Sequence, residues 1–217
     1  GRLKPDLVAP GERILSCASC TTNAITPALK VINDRFGIVH GHVETVHSFT
    51  NDQNLTDNFH PGNRRGRAAT LNLVIAETGA AKAVAKALPE LAGKLTGNSI
   101  RVPTPNVSLA ILNLTLGTET DRDELNAHLR HMSLHSTLRR QIAYTDSPEV
   151  VSSDFLSTRH TGIIEELGLA DHGLAYVDCD PWAIAPAPAS SAAPAIVFHR
   201  DLDATCAEGA ELVDVAA

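Results

Sequence analysis

The sequence predicts a soluble domain built of both helices and strands, followed by a stretch with no clear structure. Three observations carry this. Ile25, Leu29, Ile32 and Phe36 are spaced 4, 3 and 4 apart, which is one face of a helix. Val39, Val43, Thr45 and His47 share a face at period two, which is a strand. Residues 183–195 are Ala, Pro and Ser apart from Ile184, a composition that does not pack a core. A chain of 217 residues makes one sizeable domain or two small ones.

Residues 1–10 are polar and contain proline, with no periodicity. Residues 11–15 read as a short strand running into a tight turn. The first helix follows over 24–37. Pro27 is expected in its first turn, the place where a helix tolerates proline, and Gly37 ends it. Cys20 is then expected at or just before the helix N-terminus, flanked by Ser19, Thr21 and Thr22. Unpaired N–H groups and the helix dipole there favour a thiolate over a thiol, so Cys20 is a candidate nucleophile. A small buried cysteine is the plain alternative.

The strand over 38–50 places His47 on the face of its valines, either as a core histidine or as a functional group. Residues 51–67 read as a polar connection closed by Arg64, Arg65 and Arg67; connections of this length are often functional, and a solvated loop is the simpler reading. Residues 78–88 form a strong helix, broken by Pro89, with Thr78 and Gly79 at a start suited to anions. Residues 100–105 are extended by their prolines. Residues 107–116 are apolar enough for a strand. Asp121 caps an amphipathic helix over 121–132 with Leu125, Leu129 and Met132 inward. Val150, Val151, Phe155 and Leu156 suggest further short strands.

Composition narrows the function classes. Lys and Arg number 18 and Asp and Glu 25, a net charge of −7, which argues against a nucleic-acid surface. No apolar run approaches the roughly 20 residues needed to cross a bilayer, so no membrane partner is expected. No signal peptide is visible, and Gly1 suggests an internal cut or a processed end. Cysteines 17, 20, 179 and 206 do not make a disulfide framework, and the reducing cytoplasm is the expected location. Cys17 and Cys20 have redox-pair spacing, without the other features of a thioredoxin-like unit. No metal site is expected.

Six runs occur in register. They are residues 19–23 (Ser-Cys-Thr-Thr-Asn), 47–53 (His-Ser-Phe-Thr-Asn-Asp-Gln), 64–69 (Arg-Arg-Gly-Arg-Ala-Ala), 78–84 (Thr-Gly-Ala-Ala-Lys-Ala-Val), 88–95 around Leu-Pro-Glu-Leu and Gly-Lys-Leu, and 101–105 (Arg-Val-Pro-Thr-Pro). Over residues 11–163 the chain closely resembles the catalytic domain of phosphorylating glyceraldehyde-3-phosphate dehydrogenase. Asp154, Phe155 and Ser157 fit the family's later strand as well.

The resemblance implies an α+β fold, a mixed and mostly antiparallel sheet with helices packed on one face, over a catalytic domain of residues 1–166. It implies that Cys20 attacks the aldehyde to form a thiohemiacetal, with His47 as base and oxyanion stabiliser. Hydride passes to NAD, and phosphate releases the resulting thioester as an acyl phosphate. It also implies two anion sites. Thr50, Asp52 and Arg101 hold the substrate phosphate; Ser19, Thr21, Thr78, Gly79 and Arg67 hold inorganic phosphate, with Arg65 as the alternative to Arg67. The loop over 51–67 approaches a neighbouring subunit, so a homotetramer is implied.

The chain departs from the family in two places. No strand followed by G-x-G-x-x-G is found, and about twenty residues precede Cys20, so the chain alone is expected to hold NAD poorly. The family's Trp-Tyr-Asp-Asn-Glu-like segment is replaced by residues 176–182. Residues 167–217 are therefore expected to be a disordered or frame-shifted tail. Cys17 replaces a commoner asparagine. Erythrose 4-phosphate as substrate, or a remnant limited to thiol acyl transfer, are the alternative functions.

Overall fold

In the computed structural model, residues 19–165 and 173–177 are described. The predicted strand over 11–15, Cys17, Cys179, Cys206 and the Ala/Pro/Ser run lie outside them.

Helix α1 (Cys20–Phe36) begins at the cysteine itself, with Ser19 as N-cap. The Ser19 hydroxyl accepts from the Thr22 backbone N–H at 3.2 Å and from the Thr22 hydroxyl at 2.8 Å. This start is earlier than predicted and puts Pro27 in the helix interior, not in the first turn. Proline there costs the helix one backbone bond. Burial on the predicted face holds the helix regardless: Ile25, Leu29, Ile32 and Phe36 are all buried. Gly37 closes α1 with φ +66°, a conformation that glycine adopts at no steric cost.

Strand β1 (Ile38–Ser48) follows at once. Val39 does not join the inward face as the alternation predicted; it is 53% exposed and Ile38 is buried in its stead. The register of β1 against its neighbour slips by one residue between Ile38 and His40, so a bulge at Val39 exchanges the two faces. Beyond the bulge the prediction holds: Val43, Thr45 and His47 are buried on one face.

The chain continues through β2 (Val74–Ala76), α2 (Ala80–Ala87), β3 (Leu95–Val102), β4 (Ser108–Leu116), α3 (Arg122–His135), β5 (Ile142–Thr145), β6 (Gly162–Glu165) and β7 (Gly173–Val177). These strands form one sheet in the order β2-β3-β1-β4-β7-β6-β5. β1 runs parallel to β3 and β5 to β6; the other four pairings are antiparallel. The sheet is thus mixed and mostly antiparallel, and with its helices the fold is α+β. Helix α1 packs between α2 and α3 and against the sheet. One core joins Ile25, Leu29 and Phe36 of α1 to Val43, Val84, Ala110, Leu129 and Ile142. The alternate positions of the central strands carry His42, Glu44, Thr96 and Asn98, a polar opposite face where His42 bonds to Thr96 and Asn98.

Helix α3 is capped by Asp121, whose carboxylate accepts from the Glu124 N–H at 2.8 Å, and it turns Leu125, Leu129 and Met132 to the core. Two expectations fail. Val150 and Val151 are not in a strand, and Phe155 ends a 3-10 turn, Ser152–Phe155, in which the Asp154 carboxylate accepts from the Val151 N–H. Ser157 follows with φ +61°, outside strand geometry. A local carboxylate bond and a turn win over β-branched propensity there.

Residues 51–67 are also more than a solvated loop. The Asn54 N–H donates to the Arg65 carbonyl, the Asn58 N–H to that of Gly66, and the Ala69 N–H to that of Asn54. The Asp57 carboxylate accepts from the Ala68 N–H at 2.8 Å. The segment is a compact loop stitched by its own backbone.

Candidate active site

Ser19 caps α1 so that Cys20 occupies the first helical position, half-buried, over the end of β1. From β1, His47 reaches across the layer: its Nε2 lies 3.4 Å from the Cys20 Sγ. His47 itself is buried. Its Nδ1 lies 2.7 Å from the Ser48 carbonyl oxygen and 2.7 Å from the Arg101 Nη1. Arg101 arrives from β3 because the parallel register pairs His47 with Arg101. Thr21 is buried beside Cys20, its hydroxyl 4.0 Å from the sulfur.

A thiol, an imidazole within hydrogen-bond reach and a guanidinium therefore converge where a helix begins, and the first-turn N–H groups there suit a developing negative charge. The Ser48 backbone is tied down in turn, its N–H donating to the Ser108 hydroxyl at 3.2 Å.

Six of the eight predicted phosphate residues fall into three groups. Ser19, Thr21 and Arg101 lie around the Cys20–His47 pair. Thr50 is buried just past β1, its N–H donating to the Gln53 side-chain oxygen at 3.4 Å. Thr78 and Gly79 stand at the start of α2, where the Thr78 hydroxyl accepts from the Ala80 N–H. Gly97 in β3 lets that helix start come close: a Cβ at 97 would lie 2.9 Å from the Val43 carbonyl oxygen and 3.2 Å from the Thr78 methyl.

Asp52 and Arg67 are engaged elsewhere. Asp52 forms an ion pair with Arg65 and lies 3.5 Å from the His60 Nε2. The His60 Nδ1 faces the Gly62 backbone, 2.8 Å from its N–H and 3.2 Å from its carbonyl oxygen. Arg67 points to Asp57 at 3.1 Å on the exposed side of the loop. The Ala68 N–H, and then Arg67, hold the Asp57 carboxyl below the usual carboxylate range. Of the two arginines weighed for inorganic phosphate, Arg65 is the one that meets another predicted site residue.

Sequence reading passed over Gln53 and Ser108. Gln53 is buried, and its side-chain N–H2 has no hydrogen-bond partner among the described residues. Ser108 carried no signal beyond a strand start, because its role depends on β4 pairing with β1.

The profile described as glyceraldehyde 3-phosphate dehydrogenase, C-terminal domain, matches residues 19–173. The chain belongs to the glyceraldehyde-3-phosphate dehydrogenase family. That is a family of oxidoreductases. A "glyceraldehyde-3-phosphate dehydrogenase-like protein" of Pseudomonas aeruginosa is 63% identical over 158 residues, covering 73% of this chain and 34% of that protein. Glyceraldehyde-3-phosphate dehydrogenase 1 of Bacillus subtilis is 45% identical over 159 residues, 73% of this chain and 47% of its own length. The enzyme of Echinococcus multilocularis is 49% identical over 152 residues, 69% of this chain and 44% of its own. The chain thus spans between a third and a half of the length of these curated relatives. Among the described residues, no helix is long and apolar enough to cross a membrane.

Proposed function

We propose that the chain is the catalytic part of an enzyme that oxidises glyceraldehyde 3-phosphate to 1,3-bisphosphoglycerate with NAD and inorganic phosphate. The observation that carries this reading is the 3.4 Å approach of His47 Nε2 to Cys20 Sγ at the start of α1. His47 takes the thiol proton, and the Cys20 thiolate attacks the aldehyde carbon to form a thiohemiacetal. The same imidazole, with the Cys20 N–H, faces the oxyanion. The acyl group stays on Cys20 as a thioester until phosphate attacks it, releasing the thiolate and the acyl phosphate. Thr50 and Arg101 hold the substrate phosphate. Ser19, Thr21, Thr78 and Gly79 hold the attacking one with an arginine, for which Arg65 replaces Arg67 in this reading.

NAD is the hydride acceptor of the reaction. The described residues offer it no dinucleotide cradle: the two strand-to-helix turns, 77–79 and 117–121, carry one glycine each and no G-x-G-x-x-G. Its binding is assigned to residues other than these, and the chemistry above is confined to this chain's own groups. A homo-oligomer is supported by the loop, β2 and the stretch that joins them, where Phe59, Leu71, Leu73 and Ile75 are exposed and apolar.

The test is alkylation of Cys20 by iodoacetamide across pH with inorganic phosphate present, read by mass spectrometry, in the chain and in His47→Ala. The expected result is a thiol that reacts well below the free-thiol value of about 8.5, an advantage lost in the variant. A Cys20 that labels like free cysteine in both proteins rejects the reading.

A further inference from the structure

His47 Nδ1 meets two groups that make opposite demands on it. The Ser48 carbonyl oxygen, 2.7 Å away, only accepts. The Arg101 guanidinium, also 2.7 Å away, only donates. A ring nitrogen offers either a proton or a lone pair, so the two bonds exclude each other. Arg101 Nη1 has a second acceptor within reach, the same Ser48 oxygen at 3.3 Å.

The two arrangements treat Cys20 differently. When Arg101 donates to Nδ1, the neutral ring carries its proton on Nε2, the nitrogen 3.4 Å from Sγ. Both ring nitrogens are then committed, and neither takes the thiol proton. When Nδ1–H donates to Ser48, Nε2 presents its lone pair to the thiol. The S–H bond breaks, an Nε2–H bond forms, and the imidazolium is satisfied at both nitrogens, by Ser48 and by the thiolate. Among the described residues, the charged or titratable side chains bonded to His47 are Cys20 from α1 and Arg101 from β3.

We propose that Arg101 is a positioning residue that gates the Cys20–His47 pair. A phosphate oxyanion draws the guanidinium off Nδ1 and switches His47 to the tautomer that deprotonates Cys20. The proposal rests on the reading of Cys20 and His47 as nucleophile and base. Its consequence is that the nucleophile is armed when the phosphorylated substrate, or free phosphate, is in place, which limits side reactions of an idle thiolate. Guanidinium binds phosphate with charge-assisted, bidentate bonds, stronger than one bond to a neutral ring nitrogen.

The sign of the effect separates this gate from simple electrostatics. An anion bound near a thiol, with no switch, disfavours the thiolate and slows alkylation. The gate predicts the reverse.

The experiment measures the rate at which iodoacetamide, a neutral reagent, alkylates Cys20 well below the free-thiol value. It is run at constant ionic strength with no anion, with inorganic phosphate and with glycerol 3-phosphate. The expected rise is about tenfold, the change that one unit in the thiol's apparent titration produces. A rise with both anions assigns the gate to phosphate chemistry in general; a rise with the ester alone assigns it to substrate. Arg101→Gln is expected to alkylate fast without anion and to ignore it, with a melt recorded to show that it folds. Nitrogen NMR of the His47 ring in the unaltered chain reads the tautomer directly and is expected to show Nδ1–H gained with phosphate. A rate unchanged or lowered by both anions, with His47→Ala still slow, overturns the gate and leaves the catalytic pair standing. A His47→Ala rate equal to that of the unaltered chain with phosphate and with glycerol 3-phosphate present overturns both.

Discussion

Cys20 and His47 are 27 residues apart in sequence, and their side chains meet at 3.4 Å. One stands at the start of a helix and the other near the end of the strand beneath it. The contact therefore depends on how α1 is anchored at its first turn. Ser19→Ala removes the hydroxyl that accepts from Thr22 and is expected to cost about 0.5–2 kcal/mol, measured by urea denaturation. The frayed start is expected to slow Cys20 alkylation at neutral pH as well, whereas Ser19→Asp, which keeps a cap, retains the stability.

Gly97→Ala is expected to destabilise the fold by about 1–3 kcal/mol, as overpacking in a filled interior does. The added methyl meets the Val43 carbonyl and the Thr78 methyl, and the carbonyl belongs to a sheet that does not yield. Chemical denaturation reads the loss. Binding of inorganic phosphate, followed calorimetrically, is expected to weaken in the same variant, because the start of α2 is pushed off β3.

Arg65 and Arg67 separate cleanly in a phosphate-binding assay. Arg65→Ala is expected to weaken binding about tenfold or more, the scale of a lost charge-assisted bond. Arg67→Ala, which removes a partner of Asp57 on the exposed side of the loop, is expected to leave it close to unchanged. The reverse ranking would return Arg67 to the phosphate site.

Phe59 is 87% exposed and Leu71 82%, large apolar side chains on one compact segment. Phe59→Asp together with Leu71→Asp is expected to shift the chain towards the monomer in sedimentation experiments, with the melting temperature of the monomer preserved.

His128 gives an acid-side limit to stability. Burial lowers its pKa; the contact with the Val31 carbonyl opposes this, and nearby Arg35 adds to the lowering. In the unfolded chain this histidine protonates near its ordinary value of 6.5, while the folded chain holds it neutral to lower pH. Its contribution is present above the unfolded value and is lost as pH falls through the folded one. Stability measured from pH 7 downwards is expected to decline from about 6.5, and the decline is expected to be shallower in His128→Gln.

The face of α1, the inward stretch of β1 from Val43 to His47, the cap at Asp121 and the helix starting near Thr78 were all legible in the sequence. Each is a local matter of period, cap or propensity, and short stretches of chain decide it. The order of the six motifs also pointed to the family before any contact was known. Other features depended on partners distant in the chain. The strand β3 begins at Leu95 with a polar run that has no strand signature, and parallel pairing with β1 makes it a strand. β5 and β6 are four residues each; β5 is held by its pairing with β6, and β6 by β5 on one side and β7 on the other. The bulge that exposes Val39 arises from the register with β4, which no local alternation encodes. So it is with the site. Cys20 and His47 were nameable from sequence, but the placing of Arg101 against the far nitrogen of His47 follows from a pairing register between two strands 54 residues apart. Local chemistry is written along the chain. Which groups compete for one ring nitrogen is decided only when hydrogen bonding and burial bring separate strands side by side.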